Sequence, residues 1–358
     1  MTDQHTGWIL HVDLDQFLAA VELARHPELI GTPVIVGGSG DPTEARKVVA
    51  CASYEARAFG VRAGMPLRAA VRRCPEATFL PSDSEAYDAA SERVMALLRD
   101  LGHPVEVWGW DEAYVGAQVA GLRDAIDLAA QIRALISAQT GLSCSVGISD
   151  NKQRAKVATG FAKPAGIHAL TDENWMTTMG ERPVDELWGV GPKTAKKLAA
   201  MGIFTVAELA ATDAQDLTTT FGPTTGLWIL LLAKGGGDST VSAQPWVPRS
   251  RSHVITFPQD LTDTREMAEA VADLARRTLT EVVEQARIVT RVAVTVRTKT
   301  FYTRTKIRKL AAPGTDSEVI VATAMELLAQ FDLDRPVRLL GVRLELAAPA
   351  TSAVSTSR

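Results

Sequence analysis

The sequence predicts an α+β fold divided into several domains, and three observations carry that expectation. Two apolar strand patterns, WILHVDLDQFL (8–18) and VEVWGWDEAYVG (105–116), each present carboxylates, and they stand about a hundred residues apart with helical patterns between them. Strands so distant in sequence meet only by pairing in a sheet packed against helices. The third observation is a Gly/Ser/Pro-rich stretch, KGGGDSTVSAQPWVP (234–248), followed by a β-α-β-β-α-β order of strand and helix patterns. At 358 residues the chain exceeds one simple core and suits two to four modules.

Composition fits a soluble globular protein, with 46% hydrophobic and 22% charged residues. No apolar run approaches the ~20 residues that span a bilayer. The start, MTDQHTG, lacks the basic and apolar regions of a signal peptide, so a cytoplasmic location and no membrane partner are expected. Cys51, Cys74 and Cys144 are too few and too scattered for a disulfide framework or a zinc site. The net charge of −4 is unevenly placed: residues 245–348 hold 16 Lys and Arg against 13 Asp and Glu, a balance of +3 that leaves −7 on the rest.

Taken in order, residues 8–15 read as a strand and 17 to about 25 as a helix. Asp13 and Asp15, two apart on a strand, point the same way and suit a shared cation, although on this D-x-D alone a strand running into a solvated acidic turn is the better reading. The second segment answers it with Asp111 and Glu112. Carboxylates converging in a sheet repel one another unless cations sit among them, a ligand set for Mg²⁺ and for two-metal phosphoryl transfer. Short strands are expected at 33–38 and 47–52, and SYEARAFGVRAGM follows. On a helix Tyr54 and Arg57 share a face able to grip phosphate oxygens; an amphipathic helix with a solvated arginine reads equally well.

Residues 82–101 and 122–138 carry helical periodicity, and 142–149 reads as a strand, which suggests helices packed on one face of a sheet. NKQRAKVATGFAKPAG (151–166) is basic without an acid. Most of these cations are expected on a solvated helix face, with Lys163, fixed beside Pro164, as the anion-binding one. LWGVGPKTAKKLAAMGI (187–203) has the helix-hairpin-helix pattern, with Gly189, Val190 and Gly191 in a tight turn before Lys193. Such a hairpin offers N–H groups to phosphate and reads no sequence, against the plainer alternative of a turn between packed helices. Beyond the tether, residues 287–310 hold eight Lys and Arg and no acid. Arg304, Lys306 and Arg308 alternate, as do Arg297 and Lys299, so each set projects from one sheet face and, beside Tyr302, suits a phosphate-backbone groove.

Together HVDLDQFLAAVE (11–22), CASYEARAFGV (51–61), DEAY (111–114), SVGISDNKQRAKVATGFAKPAG (145–166) and the hairpin 189–191 resemble the Y-family of translesion DNA polymerases, in its bacterial DNA polymerase IV branch, over nearly the whole chain. The resemblance implies a right-hand polymerase: palm at 7–17 and 83–172, small fingers at 18–82, a helical thumb at 173–233, the tether at 234–248, a little finger at 249–348 and a disordered tail at 349–358. It implies Asp13 and Asp111 bridging two Mg²⁺ ions, with Mn²⁺ as an alternative, Glu112 on the catalytic ion, and the Leu14 carbonyl on the nucleotide-bound one. Asp15 then becomes a neighbour of the site. Tyr54, Arg57, Lys163 and the N–H groups of Gln16 and Phe17 match the residues that hold the triphosphate. Ala50 matches the roof of the nascent base pair.

The implied partners are primer-template DNA and dNTP, the implied state is a monomer, and no segment remains for a proofreading exonuclease. Departures from the family pattern are informative. Gly109 and Trp110 replace a serine and a small aliphatic residue, and Cys51 replaces a hydroxyl residue. Leu18 replaces the aromatic residue beneath the incoming sugar, so use of rNTP is expected, since an apolar pocket rejects one added hydroxyl by only ~10²-fold. Phe17, a helical neighbour ~100° away, is expected to pack elsewhere. The C-terminal LELAAPATSAVSTSR lacks a clamp-docking peptide, so sliding-clamp binding is not expected. Two other readings compete: a catalytically silent DNA-binding scaffold, which needs no carboxylates, and a palm-type nucleotidyl cyclase, which has no use for the hairpin and basic domain.

Overall fold

Strand β1 (Trp8–Leu14) sends Leu10, Val12 and Leu14 into the core and leaves His11, Asp13 and the following Asp15 on the opposite face. It turns at Gln16, in the left-handed region, into helix α1 (Phe17–Arg25). The computed structural model describes residues 7–349 and divides into two units, the first ending at Pro245 and the second beginning at Trp246.

After α1 come β2 (Val34–Val36), β3 (Cys51–Ala52), α2 (Tyr54–Ala58), α3 (Leu67–Arg73) and β4 (Thr78–Leu80), which form a small layer with strand order β3-β2-β4. Ile35, Val49, Ala56, Val61 and Leu67 give it a separate core. The strand expected over 47–52 is only two residues long. Val49 donates to the Met65 carbonyl and Leu67 to the Lys47 carbonyl, so this stretch pairs irregularly with a loop instead of extending β3.

Helix α4 (Ser84–Asp100) leads to β5 (Val105–Val107) and β6 (Glu112–Ala117), followed by α5 (Leu122–Thr140), β7 (Cys144–Ser149), α6 (Lys152–Ala162) and β8 (Ile167–Ala169). The sheet order is β5-β6-β1-β7-β8. Two expectations need correction here. Residues 105–115 are not one strand: Val105 pairs with Val115 and Val107 with Ala113, so Trp108–Asp111 is the turn of a hairpin. Helices cover both faces, with α4 and α5 on the Leu10 and Val12 side and α6 on the His11 side. Gly147 permits the second covering, because a Cβ there would lie 2.1 Å from the Ala155 carbonyl of α6.

The remaining helices of this unit, α7 (Asp172–Met179), α8 (Pro192–Ala200), α9 (Val206–Ala211), α10 (Ala214–Phe221) and α11 (Pro223–Ala233), enclose Trp175, Met179, Val190, Leu198 and Leu217. The stretch read as a free tether is seated on this unit over its first half. Gly235, with φ of 75°, lies so close to Arg154 and Trp175 that a Cβ would come within 2.8 Å of both. Asn151 donates to its carbonyl at 2.9 Å, and the Lys152 N–H donates to the Asp238 carbonyl at 2.8 Å. Residues 235–242 form a strap.

The second unit realises the expected β-α-β-β-α-β order as β9 (Ser250–Leu261), α12 (Thr264–Glu284), β10 (Val289–Thr298), β11 (Thr303–Gly314), α13 (Ser317–Leu328) and β12 (Val337–Leu346). Its sheet order is β11-β10-β12-β9, and both helices pack on one face. Val292, Val294 and Val296 are buried beneath the helices and stand opposite Arg308, Lys306 and Arg304, so these three cations share the helix-bearing face. Arg297, opposite Thr303, lies on the open face, and Lys299 lies beyond the end of β10. The two basic sets therefore do not form one surface. Of the tail expected at 349–358, residues 350–358 lie outside the described residues, as does the end of the stretch read for a clamp peptide.

Candidate active site

Antiparallel pairing of β1 with β6 sets Asp13 directly opposite Glu112, and the Leu14 N–H donates to the Asp111 carbonyl at 2.8 Å. The strand ends that carry acids in the sequence are thus neighbours in the sheet. They open on a cleft of about 710 Å³ lined by Asp13, Leu14, Gln16, Phe17, Leu18, Ala50, Cys51, Arg57, Arg62, Trp110, Asp111 and Lys163 among others. Most of the residues singled out for metal, triphosphate, sugar and base-pair roles meet there. Burial and then the charge of Asp13 push the Asp111 carboxyl above its usual range. That mutual repulsion among oxygen donors suits a hard divalent cation.

The acids are not preassembled as a metal cage: among the described residues no three His, Cys, Asp or Glu side chains form one. Lysines occupy the carboxylates instead. Lys163 pairs with Asp13, and Lys156 pairs with Glu112. His11 Nε2 lies 3.3 Å from Glu112, while its Nδ1 faces Thr159 Oγ1 at 2.8 Å. The hydrogen bond from His11, with Lys156 beside it, holds the Glu112 carboxyl at about 2. Burial lowers the His11 pKa, against the hydrogen bond to Glu112, which raises it.

Asp15 has a different environment from Asp13. It is 1% exposed and accepts hydrogen bonds from Ser145 at 2.8 Å, Ser143 at 2.9 Å, the Ala165 N–H at 2.9 Å and Tyr54 at 3.0 Å. Four donors satisfy its lone pairs and leave it as a brace between strand ends and the Lys163 turn. Tyr54 spends its hydroxyl there and does not line the cleft, whereas the Arg57 guanidinium stacks 5.0 Å from its ring, as a shared helix face predicts. Gln16 Oε1 accepts the Tyr54 N–H at 2.6 Å, which ties α1 to α2.

Leu18 lines the cleft as a half-buried aliphatic side chain. The Phe17 ring is 3% exposed and packs edge-on against Tyr87 at 6.4 Å, in the core, as expected. Trp110 forms part of the wall, with Nε1 held by Asp88 at 2.6 Å. In the helical hairpin Val190 is buried, while Gly189, Gly191 and Lys193 are exposed ahead of and within the first turn of α8.

The solvated face expected for 151–166 is overturned. Lys152 is 6% and Arg154 3% exposed. Lys152 pairs with Glu106 and Asp238, and Arg154 with Asp150 and Asp172. Asp150 precedes α6 directly, but Glu106, Asp238 and Asp172 are supplied by the hairpin, the strap and α7, which the local run of basic residues does not reveal. His11, Lys156 and Thr159 were missed as site residues. The period-2 pattern that joined Asp13 to Asp15 also includes His11, and Lys152, Lys156 and Thr159 recur at helical spacing.

The impB/mucB/samB family profile matches residues 12–160, its C-terminal domain profile 248–356 and its HHH-motif profile 172–203. The chain is 72% identical over 340 residues to "DNA polymerase IV 2" of Mycobacterium tuberculosis, covering 95% of this chain and 98% of that one. It is 38% identical over 342 residues to "DNA polymerase IV" of Methanoculleus marisnigri, with 94% of each chain covered. Among solved structures it resembles a Y-family DNA polymerase chimera of Dbh and Dpo4, with a TM-score of 0.84, 27% identity and coverage of 94% of this chain and 98% of that one. DinB from Sulfolobus solfataricus matches with a TM-score of 0.63 and 27% identity over 95% of this chain and 98% of that one. The chain belongs to the impB/mucB/samB family and, within it, to the DinB-like Y-family DNA polymerases.

Proposed function

We propose that this chain is a template-directed DNA polymerase of the translesion type that adds a nucleotide to a primer 3′-hydroxyl with two bound Mg²⁺ ions, and that it accepts ribonucleotides. Family membership supports the polymerase activity. The observation that carries the site is that Asp13, which lines the cleft with Asp111, pairs opposite Glu112, which stands beside the cleft and does not line it. Asp13, Asp111, Glu112 and the Leu14 carbonyl would hold the ions. When bound, the ions lower the pKa of the attacking hydroxyl and offset charge on the phosphates.

The chain's own groups do the rest. Arg57 and Lys163 line the cleft as cations for the triphosphate, and the N-terminus of α1 at Gln16 and Phe17 faces the same space. Tyr54 serves this reading by holding Asp15 and stacking with Arg57. On nucleotide binding Lys163 exchanges Asp13 for phosphate. Ala50, exposed at the cleft, leaves room above the base pair.

Ribonucleotide use follows from Leu18. It stands at the cleft where an aromatic wall would exclude a 2′-hydroxyl; Phe17 borders the cleft too, but its ring is 3% exposed and packed against Tyr87, and it does not replace that wall. Gly189, Gly191 and Lys193 would meet phosphates of the primer-template, and cations of the second unit would add non-specific contacts. No proofreading step is proposed, because the described segments are accounted for by palm, fingers, thumb, strap and little finger. The Asp13 and Asp111 carboxylates disfavour the silent scaffold.

The test is primer extension under Mg²⁺ with each dNTP and rNTP, in the native protein and in Asp111→Ala. The native protein is expected to extend with both sugars, and Asp111→Ala to bind primer-template without extending it. Substantial extension by the variant would remove the two-metal assignment.

A further inference from the structure

We propose that Glu106 is a positioning residue for the turn that presents Asp111 and Glu112, and that the strap 235–242 acts on that turn through it. Glu106 lies on β5 opposite Tyr114, within the hairpin whose turn precedes Asp111. Its carboxylate gathers three elements. Lys152 Nζ of α6 donates to both oxygens at 2.9 and 2.7 Å, Trp108 Nε1 of the turn donates at 2.8 Å, and the strap's Ser242 N–H donates at 2.7 Å. Lys152 is held in turn by the Asp238 carboxylate at 3.0 Å.

Apolar contacts run along the same line. Val241 packs with Ile9, Tyr114 and Ala155, and it lies so close to Gly116 that a Cβ there would stand 3.2 Å away. Trp108 stacks edge-on against Tyr114 at 5.2 Å and meets Trp188, beside the helical hairpin, at 5.7 Å. None of Glu106, Lys152, Trp108 and Asp238 lines the cleft, yet all converge on the strands that carry its acids. A carboxylate that accepts four hydrogen bonds from three donors, one on each of three elements, fixes a turn more firmly than a two-stranded hairpin with three residue pairs does alone.

The inference rests on Asp13, Asp111 and Glu112 being the metal-binding acids. The full chain is compared with Glu106→Ala, Glu106→Gln, Asp238→Asn and Ser242→Pro, the last of which removes the strap's N–H. The readouts are single-turnover extension against dNTP and Mg²⁺, primer-template affinity without metal, and hydrogen exchange of residues 107–114 without DNA. Glu106→Ala is expected to slow the maximal rate about 10²-fold. It should also raise half-saturating Mg²⁺ about tenfold. Exchange at 107–114 should quicken while primer-template affinity is unchanged. Glu106→Gln should restore part of the rate, and Ser242→Pro and Asp238→Asn should move rate and exchange in the same direction as Glu106→Ala.

Native rate, Mg²⁺ dependence and exchange in Glu106→Ala would overturn the proposal, as would a loss of DNA affinity in parallel with rate. If Glu106→Ala does not fold, native exchange and rate in both strap variants overturn it equally. A native protein unable to extend primers would contradict the polymerase reading instead, and exchange at 107–114 would still judge Glu106.

Discussion

The two units use positive charge in opposite ways. In the first, cations near the catalytic sheet are buried and individually matched: Arg154, 3% exposed, sits between Asp150 and Asp172, and Lys152 between Glu106 and Asp238. In the second, ion pairs lie at the surface, as in Arg276–Asp273, whose side chains are 58% and 79% exposed. A buried cation with a half-buried acid, as in Lys152–Glu106 at 7% and 19% exposed, fixes geometry and costs more to break, although Asp172 and Asp238 keep their own carboxylates in solvent; exposed cations are interchangeable and screened by salt. The contrast agrees with the proposed function, in which the first unit places reacting atoms and the second holds a polyanion without reading its sequence.

The largest effect that sharpens this contrast is catalytic. Asp13→Asn is expected to reduce extension on the order of 10³-fold or more while leaving primer-template binding intact. Single-turnover rates and a filter-binding or anisotropy measurement separate the two, and an extension rate near native would show that Asp13 is not a ligand. Next comes stability. Arg154→Ala deletes a buried side chain and its pair with the half-buried Asp150, while Asp172 returns to solvent, and should cost the first unit about 2 kcal/mol in denaturant unfolding. Arg276→Ala should cost under about 1 kcal/mol. Equal costs would erase the distinction between the units.

The smallest effect concerns salt. In the second unit Lys306 donates to the Gln330 carbonyl, and Arg308 pairs with Glu326, both on the helix-bearing face; Arg304 stacks 5.3 Å from the Tyr302 ring. Replacing Arg304, Lys306 and Arg308 by Ala together should therefore lower the slope of log K against log salt by about 0.9, one phosphate contact. Lys309, opposite Arg291 and so beside the buried Val292, shares the open face with Arg297, so Arg297→Ala with Lys309→Ala should lower it by about 1.8, two contacts. A triple-variant slope lower by about 2.7, the value for three contacts, would mean that the helix-bearing edge meets DNA.

The acids of the site were legible because strand ends with alternating apolar residues specify both the face and the end at which a side chain emerges. Asp13, Asp111 and Glu112 needed only the inference that two distant strands pair. The break at Trp108–Asp111 was hidden, since Val-Glu-Val-Trp continues the alternation and two of the four turn residues, Trp108 and Trp110, are aromatic. Buried Lys152 and Arg154 were hidden for another reason: Glu106, Asp172 and Asp238 come from elements that only the tertiary fold brings near α6. The strap was misread because Gly-rich composition signals flexibility and close packing alike, and Gly235 serves the second. In the little finger the alternation of Arg304, Lys306 and Arg308 was read correctly, but which face α12 and α13 cover is set by Val292, Val294 and Val296 on the neighbouring strand.

The measurement that bears most directly on the account compares kcat/KM for one correct dNTP and its rNTP, opposite the same template base, in the native protein and in Leu18→Tyr. With Leu18 at the cleft and Phe17 in the core, the native protein should discriminate by no more than ~10²-fold, and Leu18→Tyr should raise that ratio by about 10²-fold or more. Discrimination by several orders of magnitude in the native protein, or no gain in Leu18→Tyr, would contradict the assignment of Leu18 as the residue that admits the ribose.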